Sequence, residues 1–575
     1  MKKCIYLLAV IVLSLTALSC SKGKKQKEKE IPISHAVTEQ KKMVVVIASF
    51  NNVSLCEKNL SSVFEQKYEA FRVVYIDDCS SDGTYEKVAD LVEKNHFSDR
   101  FTLSRNEVRR GPAENLFRSI HSLQDEEIVV ILDGDDWFSS DVVLKRLNEI
   151  YADPYVWMTY GSYMYYPSMK LGECLQKIPV DVLQSNSIRT YVEKGMITPH
   201  LKTFYAGLFK KIKLQDFLMD GKFFLASWDV ACMIPLVEMA GTHARYVKEI
   251  LYVNNRDNPL NEDKVVFQCQ QKTDKYVRAQ APYKRLELLK FAKESQKADI
   301  LVFSFDRPLQ LYACLESMQR YLKDVGEVYV LYRVTDKDFA RGYEVVKKSF
   351  PSVHFLLQSS DPHKDFKPLV LQVLAEGPSP YILFAVDDNI VKADVALSAC
   401  EKALEESGAW GFYLGMGKNI HYCYMEQLES GLPDLLTWER DILAWQFSQG
   451  VGEWSYPNRL DMSLYKKETI RNDLEKIPFI HPNSLESNWM LRAKKKRVGL
   501  CFNESKIVNI PLNIVNQSSN RNMHSYTTKE LQEKFDAGLK MDIAPIAKLC
   551  NRAPHEEYDP LFIERTDGNI TEAGK

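Results

Sequence analysis

Three short, nearly continuous runs of β-branched and aromatic residues constrain this chain more than any other feature: MVVVIASF from Met43, FRVVYIDD from Phe71 and EEIVVILDGDDW from Glu126. Their length and composition read as strands covered on both faces rather than as helices. Between and around them lie helix-like stretches, Leu55 to Gln66, Tyr85 to Lys94 and Pro112 to Leu123. Buried strands joined by helices make parallel βαβ units, and therefore an α/β sheet. Ligands of such sheets collect outside the carboxyl ends of the strands. Asp77, Asp78, Asp133, Asp135 and Asp136 are all found at those ends.

The pattern then starts again. ADILVFSFDRP (298–308) repeats the character of MVVVIASFNN, and PYILFAVDDN (380–389) repeats that of the acidic strand end. Asn51 and Asp306 are 255 positions apart, Asp136 and Asp388 are 252 apart, and two diverged copies of one fold account for both spacings. At 575 residues the chain is also too long for one hydrophobic core. The expected organisation is residues 1–19 as a signal, 20–42 as a tether, 43–272 as a first domain, 273–297 as a helical linker and 298–575 as a second domain.

The carboxylates need something to neutralise them. In IDDCSSDGT, Ser80 to Gly83 read as a turn that caps a helix near Thr84, which leaves one of Asp77 and Asp78 for a ligand such as a ribose or base edge. In LDGDDW, Gly134 permits a tight bend between Asp133 and Asp135. Carboxylates this close raise one another's pKa unless a cation sits among them, and hard oxygen ligands suit Mg²⁺ or Mn²⁺.

Four segments in order, IASFNN, YIDDCSSDGTYEKV, RNEVRRGPAENLFRSI and VVILDGDDWFSSDVVLKRL, resemble the successive signatures of family 2 glycosyltransferases, which have the GT-A fold. The resemblance covers about residues 43 to 270. It implies a nucleotide-diphosphate sugar donor near Ala48, Phe50, Asp77, Asp78, Arg110, Asn115 and Asp133. Asp135 and Asp136 would hold the metal that bridges the diphosphate. The chain departs from the family at Ala48, where proline is commoner, and at Phe50, where tyrosine is commoner. The resemblance also implies a catalytic base, matched by Asp229 in SWDVACMIPLVEMAG, and inversion at the anomeric carbon. Glu238 and His200 are weaker candidates with structural explanations. The acceptor would be a glycan or a lipid-linked sugar. The Q-x-x-R-W signature of processive synthases is absent, so transfer of one sugar or a few is expected. The alternatives are a nucleotidyltransferase, against which SFNNVSLCEKNL offers no glycine-rich phosphate loop, and a binding protein that keeps the fold without the reaction.

In the second copy, Asp387 and Asp388 are the candidate metal ligands and Glu486, in HPNSLESNW, is the candidate base by position. YPNRLDMSLY and IVNIPLNIVNQSSNRN look like segments of GT-A-type transferases, so the whole chain reads as two tandem GT-A domains. Only Asp336 offers a counterpart to the nucleoside-binding turn. Trp445, Trp454, Tyr456 and Trp489 are expected in the core, with sugar stacking as the other option.

Lys+Arg 75 against Asp+Glu 77 leaves no polyanion-binding surplus, and nucleic acid is not expected as a partner. At the N-terminus, Lys2 and Lys3 precede the apolar run Cys4 to Leu18, and Ala17-Leu18-Ser19-Cys20 resembles a lipoprotein cleavage box with Cys20 as the lipidated residue. The run is shorter than the roughly 20 residues that span a bilayer, though an uncleaved anchor followed by Lys22, Lys24, Lys25, Lys27 and Lys29 would keep the domains on the cytosolic face. Either way the N-terminus is expected to associate with the membrane. The ten other cysteines contain no C-x-x-C pair and suit a reducing compartment, as does use of a cytosolic activated sugar. Labelled palmitate should enter the wild-type chain and not Cys20→Ala; a fully soluble, unlabelled wild-type protein would rule out both the lipid and the anchor.

Overall fold

The computed structural model describes residues 39–172, 176–191, 198–259, 267–291, 297–439, 441–513, 523 and 525–565. Two large mixed α/β sheets carry it. The first is built from β1 (Met43–Ser49), β2 (Phe71–Asp77), β3 (Phe101–Arg105), β4 (Ile128–Ile131), β5 (Trp137–Phe138), β6 (Met158–Tyr166), β7 (Thr203–Tyr205) and β8 (Ala244–Asn255). Their spatial order is β3-β2-β1-β4-β7-β6-β8-β5. The first four strands run parallel, β7 opposes both β4 and β6, and β8 runs parallel to β6. Val44 to Ile47 and Ile128 to Val130 are fully buried, as expected of strands covered by helices on both faces.

The second sheet contains β9 (Ala298–Phe305), β10 (Val325–Arg333), β11 (His354–Leu357), β12 (Tyr381–Val386), β13 (Gly411–Tyr413), β14 (Leu436–Glu439), β15 (Ile442–Gln446), β16 (Ser463–Lys466) and β17 (Val498–Phe502). Its order is β11-β10-β9-β12-β16-β13-β17-β15-β14. Through the first seven strands both the order and the directions repeat those of the first sheet: four parallel, one reversed, then two parallel. Asn51 and Asp306, just past β1 and β9, both adopt left-handed backbone, with φ of 52° and 51°. Topology and local geometry thus repeat where the sequence does. Trp445, Trp454 and Trp489 are fully buried core residues.

The expected helical linker is corrected. A helix covers Phe267–Arg278, beginning before residue 273 and ending well short of 297. Pro282 keeps the helix from running on, because it has no N–H to give the Arg278 carbonyl and its ring would clash with that carbonyl. The chain then runs along the first unit, where Tyr283 donates to Glu238 (3.0 Å) and Leu286 to the carbonyl of Met239 (2.9 Å). Among the described residues no helix is long and apolar enough to cross a membrane. The apolar run at residues 4–18 and Cys20 lie outside the described residues. None of the nine described cysteines forms a disulfide.

The two units meet along the helix Pro112–His121. The Phe117 ring lies 5.6 Å from that of Trp438, and the His121 ring 5.1 Å from it. His121 is clasped by two carbonyls, Phe117 O at 2.7 Å through Nδ1 and Glu406 O at 3.0 Å through Nε2. Burial pushes its pKa down to about 4, with Lys210 adding to the effect and the carbonyls and Asp125 opposing it. The folded pKa lies below the ordinary 6.5, so the unfolded chain takes up the proton first, and stability present above pH 6.5 is lost as the pH falls toward 4. Between pH 7 and pH 5 His121 should remove about 2 kcal/mol of stability. Urea unfolding at the two pH values should show that difference in the wild type and a correspondingly smaller one in His121→Gln.

Candidate active site

The carboxyl ends of β1, β2 and β4 converge on the acidic turn Asp133–Asp136. Gly134 lets this turn approach β1, since a Cβ there would lie 2.7 Å from the Ser49 side chain. Asp136 is fully buried. It accepts from the Tyr252 hydroxyl (2.7 Å), Asn254 Nδ2 (3.0 Å) and the Asn255 amide (2.7 Å), all at the end of β8. The expectation that Asp136 holds the metal is therefore corrected: three protein donors use its oxygens, and it ties the turn to β8.

Asp133 and Asp135 are only half-buried. Asp133 accepts from the Tyr252 hydroxyl at 3.2 Å, and Asp135 from Asn258 Nδ2 at 2.6 Å. Burial pushes Asp133 up to about 6, opposed by Lys202 and reinforced by the charge of Asp135. Asp136 is raised well above the ordinary range by burial and by both neighbouring carboxylates. Such mutual repulsion is what a bound cation relieves. Among the described residues no three His, Cys, Asp or Glu side chains converge to hold a metal unaided. Mg²⁺ and Mn²⁺ commonly take one or two carboxylates and complete their shell with phosphate oxygens and water, so Asp133 and Asp135 fit such an ion.

Around this turn the structure gathers most of the residues expected to hold the donor. Phe50 is half-buried beneath the Arg109 guanidinium, 3.9 Å from the ring centroid. Asp78 does not keep an open carboxylate: it accepts from Asn106 Nδ2 and from the amides of Arg110 and Gly111, all at 2.8 Å. Its role is to shape the loop before the helix Pro112–His121. Asp77 pairs with Ser80 N (3.1 Å) and Arg105 (3.4 Å), while its Oδ1 is buried without a hydrogen-bond partner. Arg110 is ion-paired to Glu114 at 2.9 Å, and Asn115 accepts from Asn106 at 2.7 Å. Ala48 is half-buried near the end of β1.

Asp229 stands in the first turn of the helix Trp228–Ala240, where Lys202, itself buried, reaches it at 3.2 Å. Glu238 forms a buried bidentate pair with Arg189 (2.7 and 2.9 Å), which is a structural role. His200 is buried and stacked on Tyr252 at 4.4 Å; burial and then Lys202 hold its pKa well below 6.5. Sequence reasoning missed Lys202 and the clamp formed by Tyr252, Asn254, Asn255 and Asn258. The polar run NNRDN directly after an apolar strand was its available signal.

In the second unit Asp387, Asp388 and Glu486 line one cavity of about 560 Å³. The carboxylate pair does not present an open cation site. Arg307 Nη1 bridges Asp387 (3.0 Å) and Asp388 (3.1 Å), and their other oxygens accept from Ser304 Oγ and Asn509 Nδ2, both at 2.8 Å. The metal expected at Asp387 and Asp388 is corrected on that ground. Glu486 accepts from the Leu460 amide (3.0 Å), and burial, then the charge of Asp461, pushes it up to about 8. Asp336 caps the helix Lys337–Ser349 and is no nucleoside ligand.

Comparison with known proteins bears on the first unit. Residues 44–211 match the family described as Glycosyl transferase family 2. This stretch carries a family 2 glycosyltransferase domain. The bifunctional glycosyltransferase pgtA of Dictyostelium discoideum is 28% identical over 219 residues, 33% of this chain and 27% of the relative. A glycosyltransferase of Haemophilus influenzae, uncharacterized by name, is 25% identical over 185 residues, 29% of this chain and 72% of the relative. The GalNAc(5)-diNAcBac-PP-undecaprenol β-1,3-glucosyltransferase of Campylobacter jejuni is 27% identical over 113 residues, 19% of this chain and 36% of the relative. The chain thus spans about a quarter of the length of the first of these relatives. Among solved structures, the mannosyltransferase PcManGT of Pyrobaculum calidifontis, in complex with GDP-Man and Mn²⁺, is 21% identical with a TM-score of 0.30, covering 44% of this chain and 65% of that one.

The two acidic residues of the turn should separate in a stability measurement. Asp136→Ala removes the acceptor of Asn254 Nδ2 and of the Asn255 amide and leaves Tyr252 only its longer contact with Asp133, and it should cost at least about 2 kcal/mol, at roughly 1–3 kcal/mol for an orphaned buried group. Asp135→Asn removes a like charge and should leave the melting temperature within a few degrees of wild type. Equal losses in calorimetry would contradict the division of roles.

Proposed function

We propose that the first unit transfers a sugar from a nucleotide-diphosphate donor to a hydroxyl of a glycan or lipid-linked acceptor, with inversion. The observation that carries this reading is the charge cluster joining Asp229 to the acidic turn. Lys202 lies 3.2 Å from Asp229, and the charges of both reach Asp133, so the candidate base and the candidate cation ligands share one site. The family 2 match at residues 44–211 supports the donor class. The undecaprenol-linked acceptor in the name of the Campylobacter relative supports a lipid-linked glycan as acceptor.

Asp229 accepts the proton of the acceptor hydroxyl, whose oxygen attacks the anomeric carbon from the face opposite the diphosphate. Lys202 fixes the carboxylate by direct contact. Phe50 and the Arg109 guanidinium above it border the donor pocket, and the loop held by Asp78 shapes its wall. A Mg²⁺ or Mn²⁺ ion at Asp135, with Asp133 beside it, would neutralise charge on the departing diphosphate. Membrane association through residues 1–20 would bring this site to a lipid-linked acceptor.

Asp229→Asn should keep donor affinity near wild type and lower transfer by about 10² to 10⁴, the usual range for loss of a general base. Donor binding that falls in step with turnover would make Asp229 a binding residue instead. Release of nucleoside diphosphate across a donor panel should vanish in EDTA and return with Mn²⁺; undiminished release in EDTA would remove the metal from the reading.

A further inference from the structure

The second unit repeats the topology of the first but not its charge balance. One position past the left-handed Asn51 stands Asn52, which donates to Ser49 Oγ at 3.0 Å. One position past the left-handed Asp306 stands Arg307, whose guanidinium bridges the two carboxylates that follow β12. All four oxygens of Asp387 and Asp388 accept from protein donors, and the Arg307 side chain is 11% exposed. A divalent ion here would have to displace a buried guanidinium and leave it unpaired, which is strongly unfavourable. The cation of this cleft is already part of the chain.

The rest of the cleft does not suit a diphosphate either. Arg459 is tied to Glu453 at 3.3 Å, and Arg333 lies over the Phe305 ring at 5.0 Å. Asp461, Glu453, Glu486 and Glu426 also line the cavity, so carboxyl groups outnumber guanidinium groups. A doubly charged phosphate chain without a metal would face net repulsion.

The cleft is nonetheless built for a polar ligand. Five of its side-chain atoms, Arg307 Nε, Gln358 Nε2, Asn509 Oδ1, Asn513 Nδ2 and His555 Nδ1, are buried with no hydrogen-bond partner among the described residues. Unsatisfied buried groups cost roughly 1–3 kcal/mol each, and several on residues lining one cavity point to a ligand that completes them. The set mixes donors with acceptors, which matches sugar hydroxyls, since each hydroxyl can both give and accept a hydrogen bond. Tyr456, half-buried and lining the same cavity, offers a ring for the apolar side of a pyranose.

We propose that the cleft of the second unit binds an uncharged glycan without a divalent cation, Arg307 occupying the place such an ion would take. This reading stands apart from the chemistry of the first unit, so either can fail alone. A bound glycan chain would be held by the same molecule that extends or modifies it.

The full chain would be titrated in EDTA with neutral hexasaccharides (cello-, malto-, manno- and chitohexaose) by saturation-transfer NMR and calorimetry. At least one should bind, with an affinity unchanged by Mn²⁺ or by Asp135→Asn and weakened at least tenfold by Tyr456→Ala and by Gln358→Ala. Mn²⁺ binding in the presence of UDP or GDP, read by electron paramagnetic resonance, should be the same in Asp388→Asn as in wild type. Failure of all four hexasaccharides to bind, insensitivity of binding to both cleft variants, or loss of a Mn²⁺ site in Asp388→Asn would each overturn the proposal.

Discussion

Carboxylates gathered at the ends of buried strands are the constraint on which both halves of this molecule depend. A strand covered on both faces ends in a low-dielectric layer, and ionised groups there cost free energy unless donors or cations surround them. In the first unit the end of β8 supplies those donors: Tyr252, Asn254 and Asn255 converge on Asp136, and Asn258 reaches Asp135. The long strand Ala244–Asn255 thereby closes the sheet against the acidic turn, so the position of the site follows from the way its charge is accommodated. Burial still leaves Asp133 at about 6 and Asp136 higher. Under the proposed function a cation and its phosphate ligands would relieve this repulsion.

The second unit reaches a different solution on the same frame. Its first seven strands repeat order and direction, and its strand-end residue Asp306 repeats the left-handed backbone of Asn51. The next residue changes from an amide to a guanidinium, and that one side chain turns an acidic pair into an internal ion pair. Asn509, next to the chain that follows β17, donates to both Asp388 (2.8 Å) and Asp461 (3.1 Å), much as the residues after Tyr252 serve Asp136 and Asp135. A repeated topology with a different local charge balance leaves room for a different ligand, because function resides in the site and not in the fold.

What the sequence revealed, and what it hid, follows from the range of each interaction. Strand and helix identity is local, so the parallel sheet, the restart at Ala298 and the acidic strand ends were legible from apolar runs and their punctuation. Asp229 was chosen by motif order, and it stands in the first turn of a helix. The ion pairs were not legible, because Arg307 and Asp387 are eighty positions apart and meet only when β9 and β12 lie side by side. A cluster of Asp residues reads identically whether a metal, an arginine or backbone amides neutralise it, which is why Asp78, Asp136, Asp387 and Asp388 were assigned to ligands and found satisfied by protein. The linker was misjudged for a simpler reason: charge and the scarcity of glycine suggested a helix through Pro282, and the proline prevailed.

One helix connects these two solutions. Asp78 fixes the amides of Arg110 and Gly111 at the start of Pro112–His121, and Glu114 in its first turn ties Arg110 (2.9 Å) to Arg118 (2.8 Å). Its far end presents Phe117 and His121 to Trp438 and the Glu406 carbonyl of the second unit. The ten residues of this helix therefore run from the loop held by Asp78 to the seam between the units. Beside this helix a cleft of about 580 Å³ is lined by residues of both units, among them Phe117, His121, Lys210, Glu406 and Trp438.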